Sequence, residues 1–285
     1  MITYHLIEVM SSEVIEQIQS HTFYDQNNRI VEIHHYSNGE FVSTFKATYD
    51  ALGNILTEAE YNLDGHALQE VAYIYKNLLL METNEIFEGA ISNRTLYKYD
   101  KQSRLIEEKE FINVDILQTL KTYDHSENTM TIQFFDLDGQ LVEEEKTFYN
   151  KNKNIIKEIS KTQTLEGDIE EISLFEYDEK GLLTKLTSHQ EDNLVLMEEY
   201  MYNQKGQETK SIGFDYEVNE KTVIENKYNE ASKLIEKTQH INDKLTYQKN
   251  YEYNEKGDVV YEHEYNSFEA PQEEKAVRYE IEYYA

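Results

Sequence analysis

The chain has 285 residues, with 27 Lys plus Arg against 56 Asp plus Glu, a formal charge of −29. That balance argues against direct binding to nucleic acid or to an anionic membrane, because both repel it. There is no cysteine, which excludes a disulfide scaffold, a thiol nucleophile, Cys-ligated zinc and an iron–sulfur cluster. No apolar run approaches the ~18 residues a membrane-spanning helix needs.

The first ten residues are short and mixed, without the basic start, apolar stretch and cleavage site of a secretion signal. The expected location is therefore the cytoplasm, with export lacking a classical signal, or an export signal already removed, as the alternatives. Residues 1–22 read as an N-terminal cap or half repeat. Val14, Ile15 and Ile18 would also fit a short helix. A strand is preferred, because Val14-Ile15-Glu16 leading to Phe23-Tyr24-Asp25 copies Leu141-Val142-Glu143 leading to Phe148-Tyr149-Asn150.

From residue 22 to 265 one pattern returns ten times: an aromatic, then Asp or Asn (Lys76-Asn77 after Tyr75), a polar turn, then an aliphatic. The anchors are Tyr24, Tyr49, Tyr75, Tyr99, Tyr123, Tyr149, Tyr177, Tyr202, Tyr228 and Tyr253, at spacings between 24 and 28 residues. The Asp or Asn after the tyrosine can accept a bond from its own backbone two residues on. Four residues after the tyrosine stand Gly53, Gly181, Gly206 and Gly257, with Ser103, Ser232 and Asn28 in the same place elsewhere; glycine suits a positive φ there. Ile30, Ile55, Leu105, Ile155, Leu183, Leu234 and Val259 then resume the apolar pattern. A second turn comes half a period later, as in Asn38-Gly39, Asp64-Gly65, Asp138-Gly139 and Glu166-Gly167. Each unit thus predicts strand, turn, strand, turn. Residues 266–285 read as a closing strand.

The predicted fold is all-β: one antiparallel hairpin meander over residues 1–285, of about twenty strands, twisted or curled with tyrosines and aliphatics inside. Alternation puts Tyr97 with Tyr99 and Tyr251 with Tyr253 on one face. Stacked units then build a tyrosine ladder.

Tyr49-Asp50-Ala51-Leu52-Gly53-Asn54-Ile55 and Tyr177-Asp178-Glu179-Lys180-Gly181-Leu182-Leu183 resemble the YD repeats of the RHS family. The resemblance covers about residues 22–265. It implies long β-hairpin spirals; in that family these close into hollow shells that enclose a toxin or serve as adhesion scaffolds. Ten units are fewer than a full shell needs, and the sole proline, Pro271, is not in a self-cleavage segment of the shell type. What the resemblance implies here is an antiparallel repeat sheet.

Catalytic and metal motifs are not visible. His34 and His35 are adjacent on a predicted strand, so they point to opposite faces and cannot share a metal. Asp136-Leu137-Asp138-Gly139 has the opening of a calcium loop, but Glu145 falls short of the twelfth position; a hairpin turn is expected. No phosphate loop, dinucleotide fingerprint or nucleophile elbow occurs. The expectation is a non-enzyme with no cofactor and no metal.

The acidic residues recur in register. Glu32, Glu58, Glu107 with Glu108, Glu158, Glu236 and Glu262 come eight or nine residues after an anchor tyrosine, a register that stacks them at roughly 10 Å, and Glu143-Glu144-Glu145 and Glu170-Glu171 add denser patches. Glu107, Glu108, Glu143, Glu144, Glu145, Glu170 and Glu171 are the candidate docking residues for a basic protein partner. The expected function is an immunity or inhibitor protein that neutralises a basic toxin through this surface. The alternatives are a structural or cell-surface repeat module and, less favoured because Trp is absent, a carbohydrate binder using the tyrosine ladder.

Overall fold

The computed structural model describes residues 2–10, 13–165, 167–267 and 273–282. All regular structure among these residues is β, and no helix is long and apolar enough to cross a membrane. The strands are β1 (Ile2–Met10), β2 (Glu13–Tyr24), β3 (Ile30–Ser37), β4 (Glu40–Tyr49), β5 (Ile55–Tyr61), β6 (Ala67–Lys76), β7 (Leu79–Phe87), β8 (Ala90–Tyr99), β9 (Leu105–Ile112), β10 (Ile116–His125) and β11 (Thr129–Phe135). They continue as β12 (Leu141–Tyr149), β13 (Ile155–Thr164), β14 (Gly167–Tyr177), β15 (Leu183–Gln190), β16 (Asn193–Tyr202), β17 (Glu208–Asp215), β18 (Glu220–Tyr228), β19 (Leu234–Ile241), β20 (Lys244–Tyr253), β21 (Val259–Asn266) and β22 (Glu273–Ile281). The all-β, antiparallel meander expected from the repeat is the fold. The start of the chain is strand, not helix. The turn residue Glu166, the proline Pro271 and the end of the closing segment, 283–285, lie outside the described residues.

Two compact units divide the chain: Met1–Glu70 with Glu208–Lys210 and Lys221–Ala285, and Val71–Gln207 with Ser211–Glu220. In the first, antiparallel pairing runs from β18 through β22, passes from β22 to β1 with Leu6 opposite Val277, and continues to β5. In the second it runs without a break from β7 to β16.

The turn after eight of the ten anchor tyrosines has one geometry, seen clearly at Asp50; after Tyr75 the loop is Asn77-Leu78 with both φ positive, and after Tyr123 the strand continues to His125. Its N–H donates to Asn54 O at 2.9 Å, and Gly53 N–H donates to Asp50 O at 3.2 Å. Its side-chain Oδ1 accepts from the N–H groups of Leu52 at 2.8 Å and Asn54 at 2.9 Å. Tyr49 then pairs with Ile55 but Thr48 with Thr57, so Leu56 is an extra residue. This is a type I turn closed by a bulge, whose fourth residue must take a left-handed conformation. Gly53 does so at φ 95°, Gly181 at 82°, Ser103 at 63° and Lys153 at 65°. Asp136 builds the same turn, its Oδ1 accepting from Asp138 N at 3.0 Å and Gln140 N at 2.8 Å, which is the hairpin reading of that segment. Several other turns are two-residue loops with both φ positive, as at Asn38-Gly39 and Asn242-Asp243; their twist matches that of the strands they join.

The anchor tyrosines fasten each unit to the preceding one. The hydroxyls of Tyr49, Tyr99, Tyr177, Tyr202, Tyr228 and Tyr253 donate to the carbonyls of Ile30, Leu80, Ile155, Leu183, Glu208 and Leu234 at 2.7–2.8 Å. In the unit of Tyr123 the strand runs two residues further, and His125 Nε2 takes this place on Leu105 O at 2.7 Å. Each bond contributes about 1 kcal/mol.

The interior differs from the expected tyrosines and aliphatics. No large side chain is fully buried among the described residues, and the buried positions include Ala47, Ala59, Asn84, Thr147, Ser188 and Thr246. In a sheet a side chain is covered chiefly by its neighbours on adjacent strands. Small residues sit below those neighbours, and large ones stand clear of them.

Candidate functional site

The candidate carboxylates all lie in the second unit, on β9, β12 and β14, and pairing assigns each to a face, because residues directly opposite across strands share one. Glu107 pairs with Thr122, Thr122 with Gln133, Gln133 with Glu144, Glu144 with Lys161 and Lys161 with Glu170. The other face is reached from Glu108 through Lys121 and Phe134 to Glu143, and from Ile132 through Glu145 and Ser160 to Glu171. Glu107, Glu144 and Glu170 therefore share one face; Glu108, Glu143, Glu145 and Glu171 share the opposite one. The structure does not bring all seven together.

The two groups also differ in their partners. On the first face Lys109 Nζ lies 2.9 Å from Glu107, Lys161 Nζ lies 2.7 Å from Glu170, and Gln133 Nε2 donates to Glu144 at 2.7 Å. That face is compensated. On the second face Glu108 is held by Lys121 at 3.1 Å and by the Tyr123 hydroxyl at 3.2 Å. Burial, then the charge of Glu108, pushes the Tyr123 phenol up to about 12.

Beyond Glu108 the second face carries carboxylates and hydroxyls in alternation. Glu145 lies opposite Ser160 and Ser160 opposite Glu171; Thr147 lies opposite Glu158 and Glu158 opposite Ser173. Together they line a depression of ≈ 220 Å³. Burial raises the Glu145 carboxyl above its usual range, and the charges of Glu143 and Glu158 raise it further; Lys121 offsets part of this. Among the described residues no lysine or arginine forms an ion pair with Glu143, Glu145, Glu158 or Glu171. Glu158 was not among the candidate residues. Its signal was present in the sequence as one of the carboxylates recurring after an anchor tyrosine.

His34 and His35 take opposite faces. His34 Nε2 lies 2.7 Å from Glu32, and His35 faces Glu60 at 3.9 Å. The described residues contain no group of three or more His, Asp or Glu arranged to hold a metal. The tyrosine ladder spends most of its anchor hydroxyls on backbone carbonyls, and Tyr200 donates to Glu198.

No family model and no curated protein matches the chain. Solved structures resemble it loosely. The TcdB2-TccC3-Cdc42 complex is 13% identical over 87% of this chain at a TM-score of 0.33, and this chain spans only 15% of that one. The Photorhabdus luminescens Tc holotoxin pore is 10% identical over 90% of this chain and 19% of its own, at 0.23. A porin-like protein from Bacteroides uniformis is 10% identical over 99% of this chain and 95% of its own, at 0.36.

Proposed function

We propose that this chain is a non-enzymatic protein-binding module for a basic protein partner. Its docking surface is the face of the second unit that carries Glu143, Glu145, Glu158 and Glu171. The observation that carries this reading is a set of carboxylates on neighbouring strands with no lysine or arginine ion pair among the described residues. Like charges gathered on one face, here two residues apart or diagonal across strands, oppose folding, and a cationic partner would relieve that repulsion while speeding encounter by long-range steering. In its most specific form the module is an immunity or inhibitor protein that neutralises a basic toxin. The second reading, a structural module of YD-repeat type, draws on the uniform tyrosine-anchored turns. No cofactor or metal enters either reading, and direct binding to nucleic acid or insertion into a membrane is no part of them.

Affinity capture from the native host tests the first reading, with wild type run beside Glu143→Gln/Glu145→Gln/Glu171→Gln. A basic protein held by wild type, released by salt and lost from the triple variant is the expected result. Identical captured sets at low and high salt would assign the charges to a solvated surface and leave the structural module as the better account.

A further inference from the structure

A second feature of the second unit lies at the ends of three successive hairpins, away from the anchor tyrosines. The tips of β13–β14, β15–β16 and β17–β18 enclose a cleft of ≈ 570 Å³. Its apolar lining includes Ile169, Val195 and Tyr216. Tyr216 and Ile169 are partly exposed, at 43% and 38%. The Tyr216 ring is held in place: Phe214 packs on it with centroids 4.5 Å apart, and its backbone N–H donates to Val195 O at 2.9 Å. Asp168, Glu191 and Glu217 stand among the lining residues, and among the described residues no lysine, arginine or histidine does. At the tip itself Gly167 has open space where a side chain would otherwise project.

We propose that this cleft receives an extended cationic and apolar segment of a protein partner, with alternating basic and aliphatic side chains. The case is one of complementarity. An aromatic ring and aliphatic side chains accept apolar groups, a tyrosine face accepts a guanidinium or ammonium group, and three carboxylates without a local cation favour positive charge over negative. Three hairpin tips at successive ~10 Å intervals span roughly 20 Å, the reach of about six extended residues. An alternating strand directs its side chains to opposite sides, so one set can meet the aliphatic and aromatic lining and the other the carboxylates. The inference rests on the reading of a basic protein partner and names where its apolar portion lies.

The test uses the full chain and three labelled decapeptides: alternating Arg and Leu, alternating Arg and Ser, and alternating Glu and Leu. Fluorescence anisotropy should show binding of the Arg–Leu peptide alone. Tyr216→Ala, and separately Asp168→Asn/Glu191→Gln/Glu217→Gln, should each weaken it by roughly tenfold. Val195→Thr, a near-isosteric change, guards against a Tyr216→Ala protein that does not fold, and should also weaken binding. Glu143→Gln/Glu145→Gln should bind the Arg–Leu peptide as wild type does, which separates this cleft from the acidic face; Glu171 is left unchanged in this control because it lies opposite Gln190 of the cleft lining. Equal binding of the Arg–Ser peptide, or unchanged affinity in the rim variant, would overturn the proposal even if the acidic face proves to dock the partner.

Discussion

The turns after the anchor tyrosines and the carboxylate face of β12–β14 obey opposite rules. At a turn such as Asp178 the polar groups are answered: Oδ1 accepts from Lys180 N at 2.8 Å and Leu182 N at 2.9 Å, and the preceding tyrosine donates to Ile155 O at 2.7 Å. At Glu145 burial acts first, the neighbouring carboxylates Glu143 and Glu158 add to it, and Lys121 offsets only part. The first region is over-determined and holds the repeat together. The second stores repulsion that the fold alone does not require. The comparison fixes a difference in sign: changes at the turns should lower stability, and removing a charge from the face should raise it.

The largest effect is expected at the left-handed turn position. Gly181 sits at φ 82° and Ser103, its counterpart, at φ 63°. A branched side chain is strained in that region, so Gly181→Val should cost about 2 kcal/mol in denaturant unfolding. Ser103→Gly should act in the other direction, stabilising by about 0.5–1 kcal/mol. If both substitutions shift the midpoint the same way, backbone strain at the turn does not determine its stability.

A smaller effect separates anchor tyrosines from their neighbours. Tyr177→Phe removes the bond to Ile155 O and should cost about 1 kcal/mol. Tyr97→Phe, on a tyrosine whose hydroxyl has no protein partner among the described residues, should change the unfolding midpoint little. Equal losses would mean that the rings and not the hydroxyl bonds fasten successive units.

Much of the turn region was legible in the sequence because its causes are local. An acceptor side chain, a residue tolerant of positive φ and an aliphatic at fixed spacing are enough to specify a bulged hairpin. Lys153 at φ 65° was not legible, since nothing about lysine marks that conformation; the turn imposes it. His125 was missed for a related reason. The place needs a donor at the right reach, and the two-residue extension of β10 moves it beyond Tyr123. The face assignment was legible only within a strand. Alternation separates Glu144 from Glu143 and Glu145, but which residues of β9 and β14 join them depends on cross-strand register. A bulge sits beside most of the tyrosine turns, as between Phe148 and Tyr149, and one extra residue reverses the facing of every residue after it on that strand. The sequence therefore offers seven carboxylates as one candidate surface, where the sheet divides them three and four.

The smallest expected effect tests the sign directly. The Glu145 carboxyl is raised from 4.5 in the folded protein, first by burial and then by Glu143 and Glu158. A raised folded value means that the folded state holds the proton more tightly than the unfolded one. Glu145 therefore favours folding most below the unfolded value of 4.5, and that contribution is lost as pH rises through the folded value. Glu145→Gln mimics the protonated group at every pH. Its Tm should exceed wild type by about 1–2 °C near neutral pH, and the difference should vanish in acid. Glu82 supplies the opposite control. Arg94 donates to it at 2.9 and 3.0 Å and holds its carboxyl below the usual range. Its contribution is present above the unfolded value and is lost as pH falls through the folded one. Glu82→Gln should therefore melt below wild type at neutral pH, with the gap closing in acid. Thermal melts of the three proteins between about pH 3 and 8 would show two curves converging on wild type from opposite sides. A Glu145→Gln protein that melts lower than wild type at neutral pH would show that this carboxylate is held by partners, and the face would lose its claim to be kept for a cationic protein.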